Sequence, residues 1–260
     1  MIVTQQINSN QANRFYAVGI AGVTFGVYVD EATTLNIGQN VIKFVANCTS
    51  WLPNLLKGAE ITILLTICAV SVGVFLSIFL ALGKMSKIKI LKAFCNGYIF
   101  LMRGTPLLMQ LFFIYYGLPL INPALAINDR FTAAWIAFSL NSAAYCAEII
   151  RAEIQSIDKG QFEAAKALGF NYAKTMRKII IPQTYRRLIP PIANEFIMVL
   201  KDASLTSIIA LQDLSKMTQS IMTSTNDVLI YLPSMEIYLA ITGTFTKIFA
   251  ALEKKFSIYE

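Results

Sequence analysis

Glu148-Ile149-Ile150-Arg151, then a polar run to Glu163-Ala164-Ala165-Lys166-Ala167-Leu168-Gly169, then Ile179-Ile180-Ile181-Pro182, and finally Lys201-Asp202-Ala203-Ser204: this stretch decides the fold. It sets a short amphipathic element between two apolar segments, each long enough to cross a bilayer. Between them, residues 151–187 carry eight Lys or Arg against three acids. A basic connection between spans is expected on the cytoplasmic side. The reading is a soluble-looking knob on a membrane protein, presented to a cytosolic partner.

Composition agrees. Of 260 residues, 56% are hydrophobic and 14% charged, whereas soluble domains run at about 45–50% and about 25%. The net charge of +7 sits in loops between apolar runs, which excludes a groove for nucleic acid. There is no His, so the usual neutral-pH proton shuttle and imidazole metal ligand are missing. The four Cys (48, 68, 95, 146) show no metal-ligand spacing and read as small packed residues. The Met1 region is polar, and no cleavable secretory signal is expected.

The expected fold is all-α, a membrane protein of about five transmembrane helices, with the N-terminus outside and the C-terminus inside. Residues 1–50 form an arm, 51–256 the membrane domain and 257–260 a cytoplasmic tail. Within the arm, the apolar run Phe15–Val29 falls short of the roughly 20 residues that a span needs. Its Gly19, Gly22 and Gly26 weaken a helix. It reads as a re-entrant, interfacial or external arm, with a sixth span at 15–29 left open.

The spans follow in order. The first, about 61–82, is followed by Lys84, Lys87, Lys89 and Lys92, which mark a cytoplasmic loop. The second, within 90–120, is interrupted by Arg103-Gly104-Thr105-Pro106. An in-plane or tilted helix to about Met102 is expected there, then a transmembrane helix from Pro106, ended by Gly117 and Pro119. The third covers about 131–150, the fourth about 188–211 and the fifth about 234–252. The loop 212–233 has no positive excess and is expected outside. Lys254-Lys255 then falls on the same side as the other basic segments.

Two spans carry unusual polar stripes. Asn141, Tyr145 and Glu148 line one helical face of the third. The fourth contains Glu195 and Asp202 on one face, with Asn194 and Lys201 on the neighbouring stripe. Ionisable groups in the bilayer cost about 2.5–3.5 kcal/mol each on insertion scales, so they pair or face water. Asn141, Tyr145, Glu148, Glu195, Lys201 and Asp202 are therefore candidates for a substrate path. Interhelical hydrogen bonding and a structural Lys201–Asp202 pair are the competing readings.

Inside the basic segment, Asp158 is placed to cap a helix from about Gly160, and Gly169 to end it in a left-handed turn. Asn171 caps a second short helix to about Ile180, closed by Pro182. A helix of this length is marginal alone and needs packing from its own chain or a partner.

The spacing of Glu163-Ala164-Ala165, Gly169, Ile179, Ile181 and Pro182 resembles the EAA signature of ABC-importer membrane subunits. Leu52-Pro53-Asn54-Leu55-Leu56-Lys57-Gly58, Arg103-Gly104-Thr105-Pro106-Leu107-Leu108, Ile154-Gln155-Ser156-Ile157 and Leu200-Lys201-Asp202-Ala203-Ser204-Leu205 look like the polar amino-acid permease branch of that family. The resemblance covers about residues 51–256. It departs at Ile181, where the family has Leu, and at Ala203, more often Thr.

This resemblance implies a permease subunit in a bacterial cytoplasmic membrane that moves a polar amino acid. It implies pairing with a second permease subunit, either a copy or a sister chain, and an extracytoplasmic substrate-binding protein at the outer face. It also implies docking of a separate ATPase through the 158–182 segment, with Glu163, Ala164, Ala165, Gly169, Ile179 and Pro182 as ATPase-coupling residues. No cofactor is expected on this chain, ATP and Mg belonging to the partner ATPase. The sequence agrees: Gly83-Lys84 has Ile78 where a phosphate-binding loop needs its first Gly, and Met85 follows. A secondary transporter or channel is the alternative, but it needs no docking helix and usually shows an internal repeat. A membrane-embedded enzyme would have to work with Glu195, Lys201 and Asp202 alone.

Overall fold

A computed structural model describes residues 13–20 and 23–256, with side chains described over 42–255. The tail 257–260 lies outside the described residues. Two units are distinguished, Met1–Pro53 and Asn54–Glu260.

In the first unit, β1 (Asn13–Ile20) and β2 (Val23–Asp30) form an antiparallel hairpin in which Asn13 pairs with Asp30 and Ile20 with Val23. This removes the sixth span left open at 15–29. The aromatic and β-branched residues of the run, alternating with Gly, suit a pleated strand better than a helix. Helix α1 (Glu31–Lys84) follows, and the unit boundary falls at its internal Pro53, which has no N–H for the helix ladder.

The second unit is helical. It contains the rest of α1, then α2 (Lys89–Gly104), α3 (Leu107–Phe112) and α4 (Leu118–Ile121), the last two joined by a π-turn at Phe113–Gly117. Then come α5 (Arg130–Ser156), α6 (Lys159–Ala167), α7 (Tyr172–Thr175), a second π-turn at Met176–Ile180, and α8 (Ile181–Asp202). A 3₁₀ segment (Ala203–Ile209), α9 (Leu214–Thr225) and α10 (Tyr231–Phe256) complete it. Among the described residues, three helices are long and apolar enough to cross a membrane, within 42–84, 130–156 and 228–255. The bent pair of α2 with α3–α4 makes a fourth, while α8 has the length of a span but a more polar sequence.

Three boundaries differ from expectation. Gly117 and Pro119 do not end the second span, nor does Pro182 close the short helix at 180. In each case a π-turn immediately precedes the Pro, and the helix continues through Leu118–Ile121 or Ile181–Asp202. A widened turn relieves the clash between a proline ring and the carbonyl four residues back. The loop 212–233 contains α9, capped by Asp213, whose oxygens accept from the Ser215 and Lys216 amides at 3.0 Å each. Finally, the fourth helix changes to 3₁₀ at Ala203 and stops at Ala210, which holds a left-handed φ of 60°.

The core lies where α1, α5 and α8 meet. Leu65 and Ala69 pack with Ala134, Ala137 and Phe138, and with Phe196 and Val199. Small residues set this spacing: a Cβ on Gly73 would lie 2.9 Å from the Ser142 Cβ. Phe196 also stacks with Phe245 and Phe249 of α10, at centroid distances of 4.6 and 5.3 Å. Phe75, Phe79, Phe100 and Leu239 point outward, as lipid-facing residues of a membrane protein do.

Candidate functional site

The break between α2 and α3 builds the first part of the site. Helix α2 ends at Gly104, Thr105 is extended (φ −117°, ψ 147°), Pro106 precedes the first turn of α3, and the two helices meet at 106°. Such a break strands backbone carbonyls, which are costly to bury unpaired. Two side chains answer them. Gln110 Nε2 donates to Met102 O at 2.8 Å and Thr105 O at 3.1 Å. Asn141 Nδ2 of α5 donates to Met102 O at 3.1 Å and to Gln110 Oε1 at 3.0 Å.

Beside this latch lies a cavity of about 480 Å³, lined by Arg103, Asn141, Tyr145, Glu195 and Asp202 with Pro106 and Leu205. Arg103 stands over the Tyr145 ring, 5.1 Å from its centroid, within cation–π range. Glu195 is 5% exposed and Asp202 is half-buried. The cavity therefore offers a cation on one wall and two carboxylates on another.

Four of the six path residues named from the sequence meet here: Asn141, Tyr145, Glu195 and Asp202. The other two lie elsewhere. Lys201 is exposed, and among the described residues no ion pair within 4.0 Å joins it to Asp202. Glu148, one turn beyond Tyr145, is held by Lys84 of α1, by Arg151 at 2.8 Å and by Arg103 at 3.9 Å. It is the common anion of three cations, of which only Arg103 lines this cavity. Sequence reasoning missed Arg103 and Gln110. The Arg103-Gly104-Thr105-Pro106 run was legible as a helix break, but its Arg points into the cavity that the break creates.

The 158–182 segment is built as its capping residues dictate. Asp158 accepts from the Gly160 amide at 2.6 Å and starts α6. At the other end Gly169 (φ +74°) donates to Lys166 O at 2.9 Å, and Phe170 donates to Ala165 O at 3.0 Å. Those two bonds are the Schellman pattern. Asn171 then accepts from the Lys174 amide at 2.9 Å and starts α7.

Ala165 is fully buried against the body of the chain, while Glu163 and Ala164 are exposed. Gly169 and Pro182 are exposed too, and Ile179 is half-buried. Around them Leu168 and Tyr172 stand 74% and 69% exposed. The outer face of α6 and α7 thus mixes a carboxylate, small residues and uncovered apolar side chains.

Residues 73–257 match the family described as binding-protein-dependent transport system inner membrane component. The chain belongs to that family. It is a multi-pass membrane protein and a transport component, the permease part of an ABC importer. Among curated relatives it is 37% identical to the L-cystine transport system permease protein TcyB of Bacillus subtilis, over 90% of this chain and 99% of that one. It is 41% identical to the arginine transport system permease protein ArtQ of the same organism, over 64% of this chain and 74% of that one.

Among solved structures, an amino acid ABC transporter crystallised with histidines is 40% identical, with a TM-score of 0.76 over 81% of this chain and 97% of that one. The MetNI methionine transporter, at 14% identity and a TM-score of 0.64 over 79% of this chain and 97% of that one, shares the fold.

Proposed function

We propose that this permease component moves a polar amino acid into a bacterium across its cytoplasmic membrane, driven by ATP hydrolysis on a separate ATPase subunit that also carries the Mg. The observation that carries the substrate class is the cavity of about 480 Å³ with Arg103 facing Glu195 and Asp202. A zwitterion needs opposite partners for its carboxylate and its ammonium, and this cavity holds both. The relatives named for L-cystine and arginine transport support the same class.

In this reading Asn141, Tyr145, Glu195 and Asp202 line the path, Glu148 positions Arg103, and Lys201 stands aside. Glu163, Ala164, Ala165, Gly169, Ile179 and Pro182 belong to the coupling segment, whose exposed Leu168 and Tyr172 are to be covered by the ATPase. A substrate-binding protein delivers the amino acid at the outer face, and a second permease subunit, copy or sister, completes the pathway. The end bearing α6 is cytoplasmic, with the N-terminus outside and the C-terminus inside.

The deciding experiment is ATPase stimulation by a panel of amino acids in the reconstituted complex with its binding protein. Stimulation by one or a few polar amino acids is expected. Uptake that proceeds without an ATPase subunit would instead indicate a secondary transporter.

A further inference from the structure

A second cavity, of about 670 Å³, shares no lining residue with the first. Four cations line it: Lys84 at the end of α1, Lys92 near the start of α2, Arg151 near the end of α5 and Lys159 at the start of α6. No carboxylate is among its lining residues. Lys84 and Arg151 share Glu148 behind them, whereas Lys92 and Lys159 are exposed and in no ion pair among the described residues. One carboxylate against four cations leaves an excess of positive charge along the cavity wall. The rest of its wall is mostly apolar, Met85, Ile154, Ile157 and Phe162 with the Tyr172 ring, and Gln155 is its one uncharged amide.

We propose that this cavity binds the phosphate of an anionic phospholipid headgroup. The ligand chemistry follows from the donors: Arg151 is held by Glu148 and Gln155 and contributes its charge, while Lys92 and Lys159 supply uncommitted ammonium donors, which suit a phosphate. The lipid source follows from depth and from the wall. The cavity sits where α1 and α5 pass from apolar sequence into Lys84 and Arg151, the level of the headgroups in a membrane protein. A free phosphate has no use for the Ile154, Ile157 and Phe162 wall, whereas the glycerol and upper acyl carbons of a lipid do. Basic pockets between membrane helices recognise headgroups in this way. Lys159 and Phe162 belong to α6, so a lipid bound here ties that helix to the ends of α1, α2 and α5.

The test is native mass spectrometry of the purified full-length chain, titrated in detergent with dioleoylphosphatidylglycerol, with dioleoylphosphatidylcholine or with inorganic phosphate. Retention of phosphatidylglycerol well above phosphatidylcholine is expected. The Lys92→Gln, Lys159→Gln double variant should weaken it by about tenfold or more, while leaving the Lys84–Glu148–Arg151 cluster in place. The Lys87→Gln, Lys89→Gln pair comes from the same basic loop but does not line the cavity, and should bind as the wild type does.

Equal retention of both lipids, or an equal loss in both double variants, overturns the site. Binding of inorganic phosphate without phosphatidylglycerol assigns the cavity to a solute anion and overturns the lipid. A Lys92, Lys159 variant that retains phosphatidylglycerol as the wild type does removes these cations from the site, and overturns it equally.

Discussion

Two interruptions of the helical chain, one at 104–106 and one at 168–171, meet the same difficulty by opposite means. Both leave backbone groups without helical partners. At 104–106 the carbonyls are answered from afar: Asn141 reaches Met102 across 39 residues of sequence. At 168–171 they are answered locally, by Gly169 and Phe170 amides bonding to Lys166 and Ala165. The interior break thus engages its neighbouring helices and opens a polar cavity between them. The surface turn is completed by its own backbone and the Asn171 cap, and Glu163, Leu168 and Tyr172 stay exposed.

The most severe test of this contrast is Gly169→Val. No atom lies within 4 Å of a Cβ placed there, so the whole penalty comes from φ, a cost of order 1–2 kcal/mol for a non-Gly residue. Re-aiming α6 is expected to abolish uptake or release the ATPase from membranes while the spans stay inserted. Gly169→Asn, tolerant of that φ, should be much milder. Wild-type uptake and ATPase retention in the Val variant would remove α6 as the coupling element.

At the interior break, Asn141→Leu should lower stability by about 1–3 kcal/mol, because it strips a donor from Met102 and a partner from Gln110. Thermal unfolding in detergent reads this. Gln110→Leu on the same background should add less than it does alone, since the two share one network. Full additivity would mean that the latch is not a unit.

Within the cavity, Asp202→Asn is expected to slow uptake on the order of tenfold, the equivalent of about one charge-assisted hydrogen bond. Lys201→Gln, outside the cavity, should leave uptake near wild type. The reverse ranking would return Lys201 to the path.

The smallest effect belongs to an exposed cap. Asp129 Oδ2 accepts from the Thr132 amide at 2.8 Å and from its hydroxyl at 2.5 Å, and these bonds hold its carboxyl below the usual 3.8. A depressed carboxylate pKa stabilises the fold above the unfolded value and ceases to do so as pH falls through the folded one. Asp129→Ala should therefore cost about 1 kcal/mol at neutral pH. The difference in melting temperature from wild type should shrink as pH falls through and below the usual carboxylate range.

The contrast between the two interruptions also explains what could be read from the sequence. Asp158, Gly169 and Asn171 announce the turns they make, because capping is decided within a few residues. Arg103-Gly104-Thr105-Pro106 announces a break for the same reason. Gln110 carries no such mark: its role exists only once α3 folds back beside Met102, a tertiary event. Lys201 lies outside the cavity because one helical step from Asp202 turns it outward, a difference in facing that charge alone does not reveal. Helix α9 was overlooked because its 12 residues are too few for a span and its Leu214, Met217 and Ile221 stripe is interleaved with Thr and Ser. Pro119 and Pro182 read as stops because a π-turn ahead of a proline has no simple sequence signature.

From Tyr172 to Asp202 the backbone stays helical through the second π-turn, a rod of about 45 Å at 1.5 Å per residue. One end carries the exposed face of α6 and α7 proposed above to meet the ATPase, and the other carries Glu195 and Asp202. Pro190 and Pro191 lie between them, where missing amide donors make the rod easiest to bend. A twist or tilt applied at Tyr172 thus has a continuous helical route to the carboxylates of the cavity. That route works as a shaft with a joint part-way along it, and no relay of side chains is needed.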